Sequence, residues 1–215
     1  SHIKISQSSV EVIVVDDGST DSTPQIIRSY NKKYPFSLKK IFHKKNMGKG
    51  TAVRTGIEHA TGDYIIIQDA DLEYNPQLIV GLFKPIQEGK ATVVYGTRLK
   101  RMPNIFKEER TPRFFLHYLG NRTLSLITSV LYGQWITDME TCYKVFPKKA
   151  LDGVKIHARG FEFEPEITAK LMKKGYKITE LPITTSPRGL DEGKKLSTFR
   201  DGKKALVSLI TYRFK

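Results

Sequence analysis

Apolar runs alternate with helix-like stretches along the first half of the chain. The runs VEVIVV, DYIII and ATVVYG each predict a buried strand. The segments between them, STPQIIRSY, GKGTAVRTGIEHA and PQLIVGLFKPIQ, predict helices, the first opened by Pro24. Strands and helices that alternate in this way are typical of an α/β fold with a doubly wound, mostly parallel sheet.

The second half shows a different pattern. Residues 114–136 form a helical run rich in aromatics and leucine, which predicts a helix pair covering the sheet or an amphipathic element on a membrane interface. The sequence leaves both open. A further helix is predicted to end near Gly175, followed by a strand through ELPI. Residues 99–112 and 186–198, rich in charge, Pro and Gly, are predicted to be mobile loops.

Three carboxylates follow the apolar run Tyr64–Ile67 at alternate positions: Asp69, Asp71 and Glu73. On an extended segment such side chains point to one face, so they are expected to converge and to need a cation to offset their repulsion. An EF-hand calcium loop is excluded because Tyr74 stands where that loop needs glycine. Carboxylate oxygens suit Mg²⁺ or Mn²⁺, so we predict a divalent metal site here, with a solvated turn as the alternative.

Charged residues also follow the other predicted strands of the first half. Asp16 and Asp17 come after the first strand, and Arg98 comes after the third. Ligands of doubly wound sheets bind beyond the carboxyl ends of the strands. These side chains are therefore predicted to share one site with the acidic cluster.

The turn NMGKGT has the appearance of a phosphate-binding loop. It is not a P-loop, because His43 stands where that motif needs its first glycine. Gly48 and Gly50 would still allow an anion to approach the backbone, with Lys49 as a point charge.

Composition limits the partners. The formal net charge of +14 fits nucleic acid, an anionic membrane surface or phosphate-bearing substrates. The basic residues are scattered in pairs, and no recognised nucleic-acid motif accompanies them, so no nucleic-acid partner is expected. Cys142 is the only cysteine, and no apolar run approaches the roughly 18 residues of a membrane span. We expect a cytoplasmic address without an internal disulfide.

Three motifs in order, VVDDGSTD, N-x-GKG-x-AVR-x-G and the Asp-x-Asp after an apolar strand, resemble the inverting family 2 glycosyltransferases of the GT-A fold. The resemblance is to the dolichyl-phosphate glucose and mannose synthases and their bacterial polyprenyl-phosphate relatives. It continues through YGTR, TDMETCYKVF, GFEFEPEI, ELPI and EGKKLS, and covers nearly the whole chain from Val10 onward.

The resemblance implies a hexose transfer from a nucleotide diphosphate sugar, with UDP-glucose favoured over GDP-mannose, to a polyprenyl or dolichyl phosphate at the cytoplasmic membrane face. It implies one domain, in which residues 1–98 bind the nucleotide sugar and metal and residues 99–215 bind the acceptor. The residues that the resemblance assigns to the site are Asp16, Asp17, Gly48 and Lys49 for the nucleotide; Asp69, Asp71 and Glu73 for Mg²⁺ or Mn²⁺; Arg98, Arg113, Arg188 and Lys194 for the acceptor phosphate; and Asp71, Arg98 and Asp138 for catalysis.

Two alternatives remain at this stage. A family 2 transferase with a sugar-hydroxyl acceptor would need Asp138 or a neighbouring carboxylate as a base. A binding module of the same fold would bind nucleotides or anionic lipids without catalysis. Glu164 and Glu166 are also open to a purely structural reading, as residues that begin a helix.

The amino-terminal segment departs from the family pattern. The family begins with a strand and an Ile-Pro-x-Tyr-Asn-Glu-like segment, whereas only SHIKISQSSV precedes the first predicted strand here. The first strand of the fold is therefore expected to be truncated, with Ile3 and Ile5 as a remnant of it.

Overall fold

The computed structural model describes residues 10–30, 37–99, 112–186 and 198–215, with only the backbone for residues 37, 112–114 and 198–200. Helices and strands alternate through these ranges, as the apolar pattern predicted. In chain order the elements are β1 (Glu11–Asp16), α1 (Thr23–Ser29), β2 (Ser37–Phe42), α2 (Lys49–His59), β3 (Tyr64–Ile66), α3 (Leu78–Gln87), β4 (Val93–Thr97), α4 (Pro112–Tyr132), β5 (Lys144–Pro147), a 3₁₀ turn (Lys148–Leu151), α5 (Phe163–Lys173), β6 (Ile178–Pro182) and α6 (Thr198–Phe214).

The described strands form two sheets. One is the parallel pair β1-β2, and the other has the order β3-β5-β4-β6. Strand β5 runs antiparallel to β3 and β4, while β4 and β6 are parallel. The expected α/β fold with a mostly parallel sheet is confirmed, with β5 as the reversed strand of the larger sheet.

The core lies around the larger sheet. All five residues of β4 and all four of β5 are buried. Helix α5 packs its first turns into this core through Phe163 and Ile167, which are fully buried, and α6 adds Leu209. The carboxyl end of β4, which carries Arg98, is thus fixed by packing on both faces.

Residues 114–136 form one long helix with the turn that follows it, so the predicted helix pair is wrong. Neither Gly120 nor any other residue interrupts α4 between Pro112 and Tyr132. The buried face of α4 is more polar than its exposed face. Its buried side includes Asn121, Ser125 and Ser129, and the last two accept hydrogen bonds from the backbone N–H groups of residues 139 and 136. Polar side chains are buried here because they hold the segment that follows the helix.

Some predictions fall outside the described residues. These are the strand remnant at Ile3 and Ile5 and nearly all of the loops 99–112 and 186–198. Within the described ranges, none of the helices combines the length and apolar character required to cross a membrane.

Candidate functional site

The turn after β1 is tied to the turn before α2 by one carboxylate. Both oxygens of Asp17 accept hydrogen bonds from the backbone N–H of Met47, and Oδ2 also accepts one from Gly48 at 2.7 Å. His43 Nδ1 lies 2.7 Å from Asp17 Oδ1. The neighbouring Asp16 is buried at the end of β1 and accepts a weaker hydrogen bond from Ser19 N. Asp17 therefore fixes the start of α2 relative to β1.

The glycines of this turn have a structural role in packing against the segment that precedes α5. Gly48 has a φ of +94°, and a Cβ there would lie 2.3 Å from the carbonyl oxygen of Arg159. A Cβ on Gly50 would lie 2.6 Å from the carbonyl oxygen of Ala158. These glycines therefore also allow close approach of the chain's own backbone, and the prediction that an anion approaches them stays a prediction.

Gly48→Ala is expected to lower the free energy of unfolding by about 2–4 kcal/mol, because it adds both backbone strain and a steric overlap. Urea denaturation followed by circular dichroism measures this loss. Gly81→Ala is the matched control: it lies in α3 with open space around the added Cβ and should stabilise the protein by about 0.5–1 kcal/mol. Equal stability of Gly48→Ala and the wild type would contradict this account of the turn.

The acidic turn after β3 is not extended. The strand ends at Ile66, and Leu72 has a φ of +63°, so the alternation of side chains is broken before Glu73. The Asp71 Oδ1 atom accepts a hydrogen bond from Glu73 N at 3.1 Å. Among the described residues, no three His, Cys, Asp or Glu side chains lie close enough to hold a metal. The prediction that all three carboxylates converge is therefore wrong.

Lys49 links this turn to helix α5. Its Nζ donates a hydrogen bond to Asp69 Oδ2 at 2.8 Å and lies 3.0 Å from Glu164 Oε1. Burial on its own lowers the pKa of a lysine, but Glu164 and Asp69 outweigh it, so the pKa of Lys49 lies well above its usual value. Lys49 is a fixed cation at the carboxyl end of β3.

Arg98 and Asp138 form a bidentate ion pair at the end of β4. Arg98 Nε donates to Asp138 Oδ2 and Arg98 Nη2 donates to Oδ1, both at 2.8 Å. Asp138 is fully buried, whereas the Arg98 side chain is 28% exposed. The ion pair therefore holds the guanidinium in one orientation, while part of the Arg98 side chain stays exposed.

Several other donors saturate Asp138. Asn121 Nδ2 donates to Oδ1 at 2.8 Å, and the backbone N–H of Arg98 donates to Oδ2 at 2.9 Å. Glu180 on β6 in turn holds the backbone N–H groups of Thr137 and Asp138. Burial raises the pKa of Asp138, but Arg98 and Asn121 outweigh it and keep the pKa below its usual value. This geometry makes Asp138 a partner that orients Arg98, and it leaves no lone pair aimed at a substrate proton.

The segment 138–144 joins the two charge pairs. Asp138 at its start binds Arg98, and Lys144 at its end binds Glu164, which contacts Lys49. Glu140 lies between them. Burial raises the pKa of Glu140, and the repulsion from Asp138 adds to this increase.

Four of these polar partners were missed in the sequence: Asn121, Glu140, Lys144 and Glu180. The usable signal was a lone charged residue inside an apolar run, as for Lys144 in β5, whereas Asn121 is followed by Arg122 and Thr123 and gives no such signal. Of the predicted phosphate ligands, Arg113 is placed only by its backbone at the start of α4, and Arg188 and Lys194 lie outside the described residues.

The comparison with protein families decides the classification. The model of the family described as glycosyl transferase family 2 matches residues 2–154. The chain belongs to glycosyl transferase family 2. The family resemblance read from the sequence motifs is thereby confirmed.

Two curated relatives of this family 2 chain come from an archaeon and a protist. It is 32% identical over 194 residues to dolichyl-phosphate beta-glucosyltransferase ALG5C of Trichomonas vaginalis, covering 87% of this chain and 56% of the relative. It is 31% identical over 192 residues to the low-salt glycan biosynthesis hexosyltransferase Agl6 of Haloferax volcanii, covering 88% of this chain and 43% of the relative. The chain thus spans about half the length of these relatives.

Solved structures confirm the GT-A fold of the family 2 chain. Glucosyl-3-phosphoglycerate synthase from Mycobacterium tuberculosis, in complex with Mn²⁺, UDP and glucosyl-3-phosphoglycerate, gives a TM-score of 0.66 at 18% identity, covering 95% of this chain and 69% of that one. Another structure of the same synthase gives a TM-score of 0.67 at 19% identity, covering 94% and 68%.

Proposed function

We propose that this family 2 chain transfers a hexose from a nucleotide diphosphate sugar to a polyprenyl or dolichyl phosphate at the cytoplasmic face of a membrane. The observation that carries the proposal is the Arg98 guanidinium, which Asp138 orients at the end of β4 while the side chain stays partly exposed. A guanidinium held in this way suits two oxygens of a phosphate. The dolichyl-phosphate glucosyltransferase among the relatives supports the lipid phosphate, and UDP-glucose is the favoured donor, with GDP-mannose as the alternative.

The two halves of the chain have separate roles in this proposal. Residues 1–98 bind the donor: Lys49 faces its diphosphate, and Asp16 and Asp17 shape the turn at the nucleoside. Residues 99–215 bind the acceptor, with Arg113, Arg188 and Lys194 as further phosphate ligands. The single domain remains an expectation of the family pattern.

A divalent metal fits the acidic turn only together with the donor. Asp69 and Asp71 offer hard carboxylate oxygens, but the described residues contain no cluster of three metal ligands. Mg²⁺ and Mn²⁺ are commonly held by one or two carboxylates and completed by substrate phosphates and water. We assign Asp69 and Asp71 to such a site, while the hydrogen bond from Glu73 N orients Asp71. A bound divalent ion would neutralise charge on the departing nucleotide.

The residues of the chain contribute to catalysis by positioning the donor and the acceptor. A phosphate acceptor is largely ionised near neutral pH, so no strong base is required. This agrees with Asp138, whose oxygens are occupied by Arg98 and Asn121. Arg98 would hold the acceptor phosphate, and Lys49 would hold the donor diphosphate against it.

The outer face of α4 supports contact with a membrane surface. Phe115, Leu119, Leu126 and Val130 form a stripe at helical spacing, and Val130 is 76% exposed. Arg122 lies at the same helical spacing, but the other residues of the stripe are apolar, whereas the inner face of the helix carries buried polar side chains.

Leu126→Glu should reduce the partition of the protein onto phosphatidylglycerol-containing vesicles about tenfold, because it removes apolar burial and adds a charge of the membrane's sign. Vesicle co-sedimentation measures this partition. Val80→Glu on α3 is the matched control, since Val80 is also an exposed apolar helix residue, and it should leave the partition unchanged. Equal losses in both variants would contradict a role for the α4 stripe.

Thermal unfolding tests the donor half of the proposal. UDP with Mn²⁺ should raise the melting temperature more than UDP with EDTA, and more than ATP with Mn²⁺, because only a matching diphosphate completes the metal site. GDP with Mn²⁺ tests the alternative donor. Stabilisation that is the same for all nucleotides and insensitive to EDTA would contradict the assignment.

A second candidate function rests on Glu140. It is a half-buried carboxylate near Arg98 whose pKa is raised by burial, and a raised pKa suits a general base. A family 2 transferase with a sugar-hydroxyl acceptor would use it to remove the hydroxyl proton. Glu140→Gln separates the two functions: it should abolish transfer to a hydroxyl and only weakly affect transfer to a phosphate.

A further inference from the structure

A chain of four alternating charges runs from the core to the acidic turn. Lys144 on β5 is fully buried and binds Glu164 in the first turn of α5. Glu164 contacts Lys49 at the start of α2, and Lys49 binds Asp69. Exposure rises along this chain, from 0% for the Lys144 side chain to 28% for Asp69. Removing one member of such a buried set is costly, because its neighbour is left without a partner.

Lys49 makes different contacts with its two carboxylate neighbours. It donates a hydrogen bond to Asp69, whereas Glu164 Oε1, 3.0 Å from the same nitrogen, is not aligned for one. Glu164 Oε1 is buried and has no hydrogen-bond partner within the described ranges. An acceptor left in this state is rare and needs an explanation. Lys49 Nζ, 3.0 Å away, is a donor within reach of this oxygen.

Asp69 is also one of the two carboxylates assigned to the metal, so it has two competing partners. When Asp69 turns to another cation, Lys49 loses its hydrogen bond. A lysine with four rotatable bonds would then leave the site unless another group held it. Glu164 is in position to hold Lys49. The other carboxylate oxygen of Glu164, Oε2, accepts a hydrogen bond from Lys144, which fixes the orientation of Glu164.

We propose that Glu164 is a positioning residue which, braced by Lys144, holds the Lys49 ammonium at the donor diphosphate after Asp69 exchanges partners. The proposal rests on the function proposed above, because it assumes a diphosphate ligand at this site. It assigns the first turn of α5 to donor binding, where the sequence suggested only the start of a helix.

The sign of the Glu164→Gln effect on UDP affinity distinguishes this role from a simple charge effect. A carboxylate that acted only through its charge would repel the diphosphate, so its removal would tighten binding. A carboxylate that positions Lys49 gives the opposite result. Glu164→Gln should weaken UDP binding about tenfold in Mn²⁺, the loss of one charge-assisted contact, and should change it little in EDTA, where Asp69 still holds Lys49. Isothermal titration calorimetry measures both.

A double-mutant cycle with Lys49→Met gives the decisive comparison. Lys49→Met alone should weaken UDP binding in Mn²⁺, and adding Glu164→Gln should then cause no further loss, because no ammonium remains to be positioned. Glu162→Gln is the matched control at the start of the same helix, since its oxygen accepts hydrogen bonds from Arg159 N and Gly160 N that glutamine can also accept. It should bind UDP like the wild type.

A further variant serves as the test if Glu164→Gln does not fold. If Glu164→Gln fails to fold, Lys144→Met with Glu164→Gln removes both buried charges and restores the balance of the core; it should show the same loss of UDP affinity. Tighter or unchanged UDP binding in Mn²⁺, or an equal loss in the Lys49→Met background, would overturn the inference. Absence of UDP and GDP binding by the wild type would instead overturn the proposed function itself.

Discussion

Asp71→Asn is expected to abolish the part of UDP binding that depends on Mn²⁺ and to lower hexose transfer by at least about a hundredfold, because the charge stabilisation of the leaving nucleotide is lost. The fold should be retained, since an asparagine oxygen can still accept the hydrogen bond from Glu73 N. Calorimetry with UDP in Mn²⁺ and in EDTA measures the first effect, and initial rates measure the second.

Asp63→Asn is the matched control for this variant. Asp63 is an exposed aspartate directly before β3, at the opposite end of the strand from Asp71. Its substitution should leave both nucleotide binding and transfer unchanged. Normal Mn²⁺-dependent UDP binding by a folded Asp71→Asn protein would remove Asp71 from the metal site.

Arg98→Lys should raise the KM for polyprenyl phosphate by at least about tenfold while changing UDP affinity little, because lysine keeps the charge but cannot make the two parallel hydrogen bonds. The same substitution breaks the bidentate pair with the buried Asp138, so the melting temperature should also fall. Steady-state kinetics at saturating donor, together with calorimetry of UDP, separate these effects.

Arg122→Lys provides the comparison for Arg98→Lys. Arg122 is a half-buried arginine on α4, next to Asn121 in the chain, and it lies outside the ion pair. It should leave the KM for the lipid unchanged. A wild-type KM in Arg98→Lys, or an equal rise in both variants, would show that Arg98 does not bind the acceptor phosphate.

Local patterns predicted most of the first half of the fold. A regular apolar or amphipathic pattern marks each of the elements β1, α2, β3, α3 and β4. Such a pattern depends only on neighbours in the chain. The strand β2 was missed because Lys39 and Lys40 interrupt its apolar pattern. The strand β5 was missed because it has four residues and carries a lysine, whose burial depends on Glu164, 20 residues away.

The sequence predicted individual residues of the site but not the contacts between them. Alternate spacing placed Asp69 and Asp71 correctly after β3, but it could not reveal the positive φ of Leu72 that breaks their alignment with Glu73. Sequence motifs brought Arg98 and Asp138 into one site. The pairing of these two residues, 40 positions apart, follows from the way in which β6 and α4 hold the segment after Ile136. Such contacts depend on tertiary packing, which no local pattern contains.

The transfer reaction itself tests the central claim most directly. The protein is incubated with Mn²⁺, polyprenyl phosphate and either labelled UDP-glucose or labelled GDP-mannose, and the organic phase is analysed for a lipid-linked sugar. The account predicts a labelled polyprenyl-phosphate hexose with one of these donors, formed only when metal is present and lost in Asp71→Asn. Label that reaches only a sugar hydroxyl, or nucleotide binding without any lipid product, would contradict it.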